Sequence, residues 1–118
     1  MTTKMKTRLE HDLLGEREIS DEVYYGVQTK RAQENFNITG VTLSQFPTFI
    51  VSLAKVKKAT ALANFNLNLL DEHKKNAICE ACDEIMGGAL HDQFVVDMIQ
   101  GGAGTSVNMN ANEVIANR

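Results

Sequence analysis

A run of glycine, hydroxyl and amide residues occupies positions 100–113, with the sequence QGGAGTSVNMNANE. Glycines let backbone N–H groups approach a ligand closely. A helix that starts after them offers free N–H donors and a partial positive charge. Thr105 and Ser106 add hydroxyls, while Asn108 and Asn110 add amides. This pattern suits the binding of a small carboxylate or other anion, and it supplies no general acid or base of useful pKa.

Two familiar glycine motifs do not describe this run. The dinucleotide fingerprint needs a third glycine where Val107 stands, and the P-loop needs a lysine after the glycines. A capped helix without any ligand is the alternative, and local physics alone slightly favours it. Three asparagines two residues apart shift the balance towards a ligand, because buried amides need partners. Asn108 and Asn112 share a helix face, however, and could join helices instead.

The two cysteines, Cys79 and Cys82, form a C-x-x-C pair, which suits a thiol redox site or half of a zinc site. There is no second cysteine pair, and His73 and His91 lack the usual finger spacing. The surrounding segment is predicted to be a helix, with Cys82 on its apolar stripe. We therefore expect two reduced cysteines, no metal site and no cofactor.

Charge and hydropathy exclude several classes of partner. The chain has 12 basic and 15 acidic residues, a net charge of −3, which argues against non-specific electrostatic binding of nucleic acid. The densest basic cluster, at residues 55–58, has no interleaved aromatics and is interpreted as a solvated helix face. No apolar run approaches the length of a membrane span, and the N-terminus has no apolar signal core. We expect a cytoplasmic protein without a membrane partner.

The elements that position the glycine run are predicted to be mainly helical, in a single domain over residues 1–118 with one or two short strands near 13–19 and 92–100. Residues 1–12 are polar and are expected to be frayed or extended. Ser20 marks a short helix that is interrupted near Gly26. Further helices are predicted from Pro47, from Asp71 to Met86, and from Thr105 onward.

The strongest periodicity follows the helix that starts at Pro47. Its apolar stripe recurs every three or four residues and comprises Phe46, Phe49, Leu53, Val56, Thr60, Ala63, Leu67 and Leu70. The chain stops in helix-forming sequence, so we expect it to be a piece of a longer protein. Part of the stripe, with Met98 and Ile99, is then expected to be more exposed here than in that parent.

Three motifs resemble the aspartase/fumarase superfamily. QGGAGTSVNMNANEV is similar to its first conserved region, and DLLGEREI followed by YYGVQTKRAQENF resembles its N-terminal signature. The resemblance covers residues 12–118. DQFVVDMIQGGAGTS is closer to aspartate ammonia-lyases, since fumarases generally have a serine at the position of Ala103. Val95 departs from the pattern, because many relatives have proline there.

This resemblance implies the N-terminal helical domain of a homotetramer whose subunits share a central bundle and combine three regions in each active site. The implied reaction is reversible elimination of ammonia from L-aspartate to give fumarate, without a required cofactor or metal. The family's catalytic base lies in a later loop, so no catalytic residue is expected in this chain. The alternatives are a fumarase or other superfamily lyase, or a free-standing helical module that binds dicarboxylates.

The resemblance also assigns roles to residues. Thr105 would contact the substrate's amino group or the carboxylate beside the abstracted proton. The other residues expected to contact the substrate are Gly104, Ser106 and Asn108. The residues expected to shape the pocket are Gly101, Gly102 and Ala103. Arg31 would position this region, or it would form a salt bridge to Glu34 or another acid.

Overall fold

The computed structural model describes residues 6–118, and within them the fold is mainly helical. A hairpin precedes four α-helices, and two short 3-10 turns lie at Leu43–Gln45 and His91–Gln93. The strands are β1 (Thr7–Asp12) and β2 (Gly15–Ser20), and the helices are α1 (Val27–Asn35), α2 (Pro47–Asn66), α3 (Glu72–Met86) and α4 (Thr105–Asn117). The predicted fold class, mainly α with short strands, is confirmed.

The N-terminal hairpin pairs β1 and β2 antiparallel, in a register that runs from Thr7 opposite Ser20 to Asp12 opposite Gly15. The strand predicted near 13–19 is therefore confirmed in β2. Residues 7–12 are extended, one of the two states expected for them, and they are not frayed, because they pair with β2 along their whole length. Residues 1–5, which share that expectation, lie outside the described part of the chain.

The second predicted strand, near 92–100, is wrong. This segment makes a single bridge, between Thr42 and Asp97. The N–H of Leu43 donates to Val96 O at 3.0 Å, and the N–H of Met98 donates to Val41 O at 2.8 Å. The chain is extended here, but the pairing is too short to make a strand. This extended segment connects α3 to the glycine run.

The first helix begins later than predicted. The Ser20 hydroxyl accepts a hydrogen bond from the N–H of Glu22, which forms a turn and not a helix start. Arg8 donates to the carbonyl oxygens of Ser20, Val23 and Tyr25 at 2.7–2.9 Å. The guanidinium thus holds the segment before α1 in a non-helical turn, in which the N–H of Val23 also donates to Ser20 O, and α1 starts only at Val27.

The other helix starts follow the prediction. α2 has Pro47 in its first turn. Asp71 caps α3, since its Oδ1 accepts from the N–H of Lys74 at 2.8 Å. No described helix is both long and apolar enough to cross a membrane.

The core uses a different face of α2 from the predicted stripe. The buried residues of this helix are Ile50, Ala54 and Ala61, of which Ile50 and Ala54 belong to the core cluster that includes residues of α3 and α4. Phe49 and Val56, from the predicted stripe, are 48% and 61% exposed. Met98 and Ile99 are also exposed. Most of the periodic stripe therefore lies on the surface of this chain, in agreement with an exposed apolar face on part of a larger protein.

Candidate functional site

The glycine run forms a tight turn that leads directly into α4. Gly102 and Gly104 have φ angles of 71° and 85°, in the left-handed region that favours glycine. A Cβ built on either residue would have no heavy atom within 4 Å. These two glycines are therefore required for backbone conformation and not for space. Gly101 differs, because a Cβ there would lie 3.2 Å from the Phe36 ring.

The first turn of α4 is only partly satisfied by the protein. Its N-cap is Gly104, which has no side chain to offer. The N–H of Val107 donates to Gln100 Oε1 at 3.0 Å. Within residues 6–118, the N–H groups of Thr105 and Ser106 make no hydrogen bond. Thr105 is exposed and Ser106 is half-buried, so the start of α4 carries two hydroxyls and two N–H groups that have no partner among the described residues.

Asp97 organises the backbone just before the glycine turn. Its side chain is buried and accepts hydrogen bonds from the N–H groups of Thr39, Gly40 and Ile99 at 2.8–3.0 Å, as well as from the Thr39 hydroxyl at 2.9 Å. Burial alone would raise the pKa of Asp97, but these donors outweigh it and lower the pKa to about 2. A cavity of about 290 Å³ lies beside it, lined in part by Phe36 and Thr42.

The three asparagines of the glycine run that lie in α4 have different roles. Asn110 is fully buried, accepts from the N–H of Val95 at 3.0 Å and donates to Gln93 O at 2.9 Å. Asn108 is exposed and accepts from the ammonium of Lys57 on α2. Asn112 donates only to Met109 within its own helix. The buried amide is thus structural, and of the two residues expected to join helices only Asn108 does so.

Arg31 forms a salt bridge to an acid other than Glu34. Its Nε and Nη2 donate to the two oxygens of Asp12 at 2.9 Å, and both side chains are largely buried. The guanidinium beside Asp12 lowers the pKa of that carboxyl. Glu34 instead meets Arg17 at 3.3 Å. Arg31 therefore lies at the hairpin turn.

The cysteines behave as predicted. Cys82 is fully buried and Cys79 is partly buried, both as free thiols. Burial, together with the neighbouring Cys79, raises the pKa of Cys82 to about 11, which makes a reactive thiolate unfavourable. Within residues 6–118, no group of three or more histidine, cysteine or acidic side chains is placed to hold a metal ion.

Sequence reasoning assigned no role to two residues that shape the turn. Gln100 contacts both Asp97 and Val107. Asp97 itself was detectable, because it is a lone acidic residue within the apolar run FVVDMI. A buried acid in such a run needs several donors.

Comparison with known proteins gives close relatives over nearly the whole chain. An aspartate ammonia-lyase from Helicobacter pylori (strain J99) is 66% identical over 93% of this chain and 24% of its own length. The Pseudomonas aeruginosa enzyme of the same name is 56% identical over 99% of this chain and 25% of its own length. The chain thus spans about a quarter of the length of the curated relatives it matches.

Two solved structures share the fold. A fumarate lyase:delta crystallin from Brucella melitensis superposes with a TM-score of 0.92 at 57% identity, covering 95% of this chain and 26% of that one. A class II fumarase from Schistosoma mansoni gives a TM-score of 0.87 at 36% identity, covering 93% and 23%. A family model described as lyase matches residues 15–118. The helical fold, the glycine turn and these relatives agree, and the chain belongs to the lyase family.

Proposed function

We propose that this chain is the N-terminal region of an aspartate ammonia-lyase, which reversibly eliminates ammonia from L-aspartate to give fumarate. The observation that carries the proposal is the glycine turn, which presents two N–H groups and two hydroxyls at the start of α4. Relatives named aspartate ammonia-lyase, at 53–66% identity, support this reaction over other lyase reactions.

The site binds a substrate carboxylate through the first turn of α4. The N–H groups of Thr105 and Ser106 and their hydroxyls donate to it, and the helix adds a partial positive charge. For the Thr105 hydroxyl, the alternative contact is the substrate's amino group. Removal of the proton next to a carboxylate places extra negative charge on that carboxylate, and pre-aligned donors stabilise it.

Supporting residues keep this arrangement open. Gly101, Gly102, Ala103 and Gly104 shape the turn, and Asn108 lies one helical turn beyond Gly104 on the exposed side of α4. Arg31 contributes indirectly, since its bond to Asp12 fixes the hairpin. The chain supplies binding groups and no base. The base comes from another region of a cytoplasmic homotetramer, in which each active site combines regions of several subunits.

The test compares two substrates on the full-length enzyme that contains this chain. Formation of fumarate from L-aspartate and from malate is followed side by side by ultraviolet absorbance. We expect turnover of aspartate and none of malate. Turnover of malate alone would favour the fumarase alternative, for which the Schistosoma mansoni structure is the precedent. Residues 1–118 alone are expected to be inactive, and activity from them would contradict the proposal.

Thr105→Val tests the binding role in that enzyme. Valine keeps the shape of threonine and removes the hydroxyl donor, so kcat/KM for aspartate should fall by roughly 100-fold, as for other lost donors at a developing charge. Thr105→Ser should recover most of the loss. Thr7→Val, at an exposed position of β1, is the matched control and should leave kcat/KM unchanged. Equal values for the two valine variants would exclude Thr105 from the site.

A further inference from the structure

The side chain of Gln100 spans the glycine turn. Its Oε1 accepts from the N–H of Val107, at 3.0 Å, on the far side of the turn. Its Nε2 donates to Asp97 O, at 3.4 Å, on the near side. One planar amide thus joins the chain before the turn to the first turn of α4. Both ends of the amide are in use.

The near side of this bridge is firmly held. The carboxylate of Asp97 accepts four hydrogen bonds, from Thr39, Gly40 and Ile99. Gly101 lies against the Phe36 ring, where an added Cβ would come within 3.2 Å of ring carbons. Asp97 is therefore a fixed anchor for the amide of Gln100.

The far side is not held in this way. Around Gly102 and Gly104 there is no heavy atom within 4 Å of a built Cβ, so neighbouring groups do not support the turn from outside. Glycines also leave the backbone free to adopt several conformations. The bond from Val107 to Gln100 thus ties the first turn of α4 back to the anchored segment, and Asn110 adds a tie one turn further along the helix, to Val95 and Gln93.

The neutral charge of Gln100 matters as much as its geometry. A carboxylate at the same place would also accept from Val107, but it would cancel the partial positive charge of the helix start. The molecule contains that alternative at α1, where Glu10 and Glu113 occupy the first N–H groups. At α4 an uncharged amide satisfies one N–H and leaves the positive end for an external anion.

We propose that Gln100 is a positioning residue for the substrate carboxylate: it holds Thr105 and Ser106 in place through Val107 and keeps the helix start free of negative charge. The inference rests on the proposed function and deepens it. It predicts that two changes of similar size at Gln100 both weaken substrate binding, but for different reasons.

The experiment measures KM, kcat and the thermal unfolding midpoint of the full-length enzyme with Gln100→Leu and Gln100→Glu. Leucine removes both bonds, so KM for aspartate should rise roughly tenfold, with a smaller change in kcat. Glutamate keeps the acceptor for Val107 but loses the donor to Asp97 O, so the unfolding midpoint should fall less than in Gln100→Leu while KM rises at neutral pH. That rise should shrink as the pH is lowered and the new carboxylate is protonated.

Gln45→Leu and Gln45→Glu are the matched controls, because Gln45 is an exposed glutamine in the 3-10 turn before α2. They should leave KM unchanged. A wild-type KM in Gln100→Glu at every pH, or a lowered midpoint with unchanged KM in Gln100→Leu, would reduce Gln100 to a helix cap and overturn the inference. If the wild-type enzyme turns over malate in place of aspartate, the proposed reaction fails, and the same KM ratios measured with malate still decide the role of Gln100.

Discussion

Two helices of this chain begin after a glycine with no side-chain cap, yet they treat their first N–H groups in opposite ways. At α1, the N–H of Val27 donates to Glu10 at 3.0 Å, and those of Gln28 and Thr29 donate to Glu113 at 3.1 and 2.8 Å. At α4, Val107 donates to the neutral Gln100. One helix start is closed by two carboxylates of the protein, and the other remains open.

The difference shows what the open site is suited to bind. Unpaired N–H groups and the helix dipole favour a negative oxygen, whatever its source. At α1 that oxygen comes from β1 and α4, so the contact stabilises the fold. Asp97, on the segment before α4, already accepts four hydrogen bonds, from Thr39, Gly40 and Ile99. Within residues 6–118 no protein group pairs with the first two N–H groups of α4, so they are free to bind water or an anion such as the proposed substrate carboxylate.

The largest expected effect comes from adding one methyl group at the closed helix start. A Cβ at Gly26 would lie 2.6 Å from Glu10 Oε1 and closer still to Glu113 Oε2. Gly26→Ala must therefore displace both carboxylates, and we expect a loss of about 3 kcal/mol of stability from the hydrogen bonds that they make to the first N–H groups of α1. Thermal and denaturant unfolding of the full-length enzyme measure this.

The control is the same substitution at the open helix start. Gly104 has a φ of 85° and free space around its Cβ position, so Gly104→Ala carries only the left-handed backbone cost, about 1 kcal/mol. Its effect should fall mainly on kcat/KM. If both alanine variants lost equal stability, the contrast between a closed and an open helix start would be wrong.

Glu113→Gln removes the charge that closes α1 and has the next largest effect. The carboxylate accepts from the N–H of Gln28 and from both the N–H and the hydroxyl of Thr29, which is fully buried. A glutamine keeps one oxygen and turns an NH₂ group towards a donor. We expect a loss of about 2 kcal/mol, measured by unfolding.

Glu22→Gln, at an exposed position before α1, is the control and should be close to neutral. An equally small change in Glu113→Gln would mean that water, and not the carboxylate, satisfies the start of α1.

The sequence predicted the glycine turn, the starts of α2, α3 and α4 and the burial of Cys82, because each depends on local signals. It failed where a distant side chain decides. Ser20 looks like a cap, but Arg8 holds the segment before α1 in a non-helical turn. No role was predicted for Glu113, because its partners lie 84 and 85 residues away.

The smallest expected effect concerns how stability depends on pH through two largely buried acids, Asp12 and Asp97. Asp12 is held by the cation of Arg31, whereas Asp97 is held by backbone N–H groups and a hydroxyl. Despite its burial, these donors lower the pKa of Asp97 to about 2. Its contribution to stability is thus complete above an unfolded-state pKa of about 3.9 and is lost as the pH falls towards 2.

Unfolding midpoints of the full-length enzyme between about pH 5 and pH 2 should therefore fall less steeply in Asp97→Asn than in the wild type. The exposed Asp21→Asn is the control and should keep the wild-type slope. Added salt should weaken the stability that the Asp12–Arg31 ion pair contributes and leave the contribution of Asp97 nearly unchanged. The reason is that hydrogen bonds from neutral donors are screened less than ion pairs. Equal slopes in Asp97→Asn and the wild type would show that Asp97 does not hold the backbone before α4 through its charge, and the anchor proposed for Gln100 would then need another source.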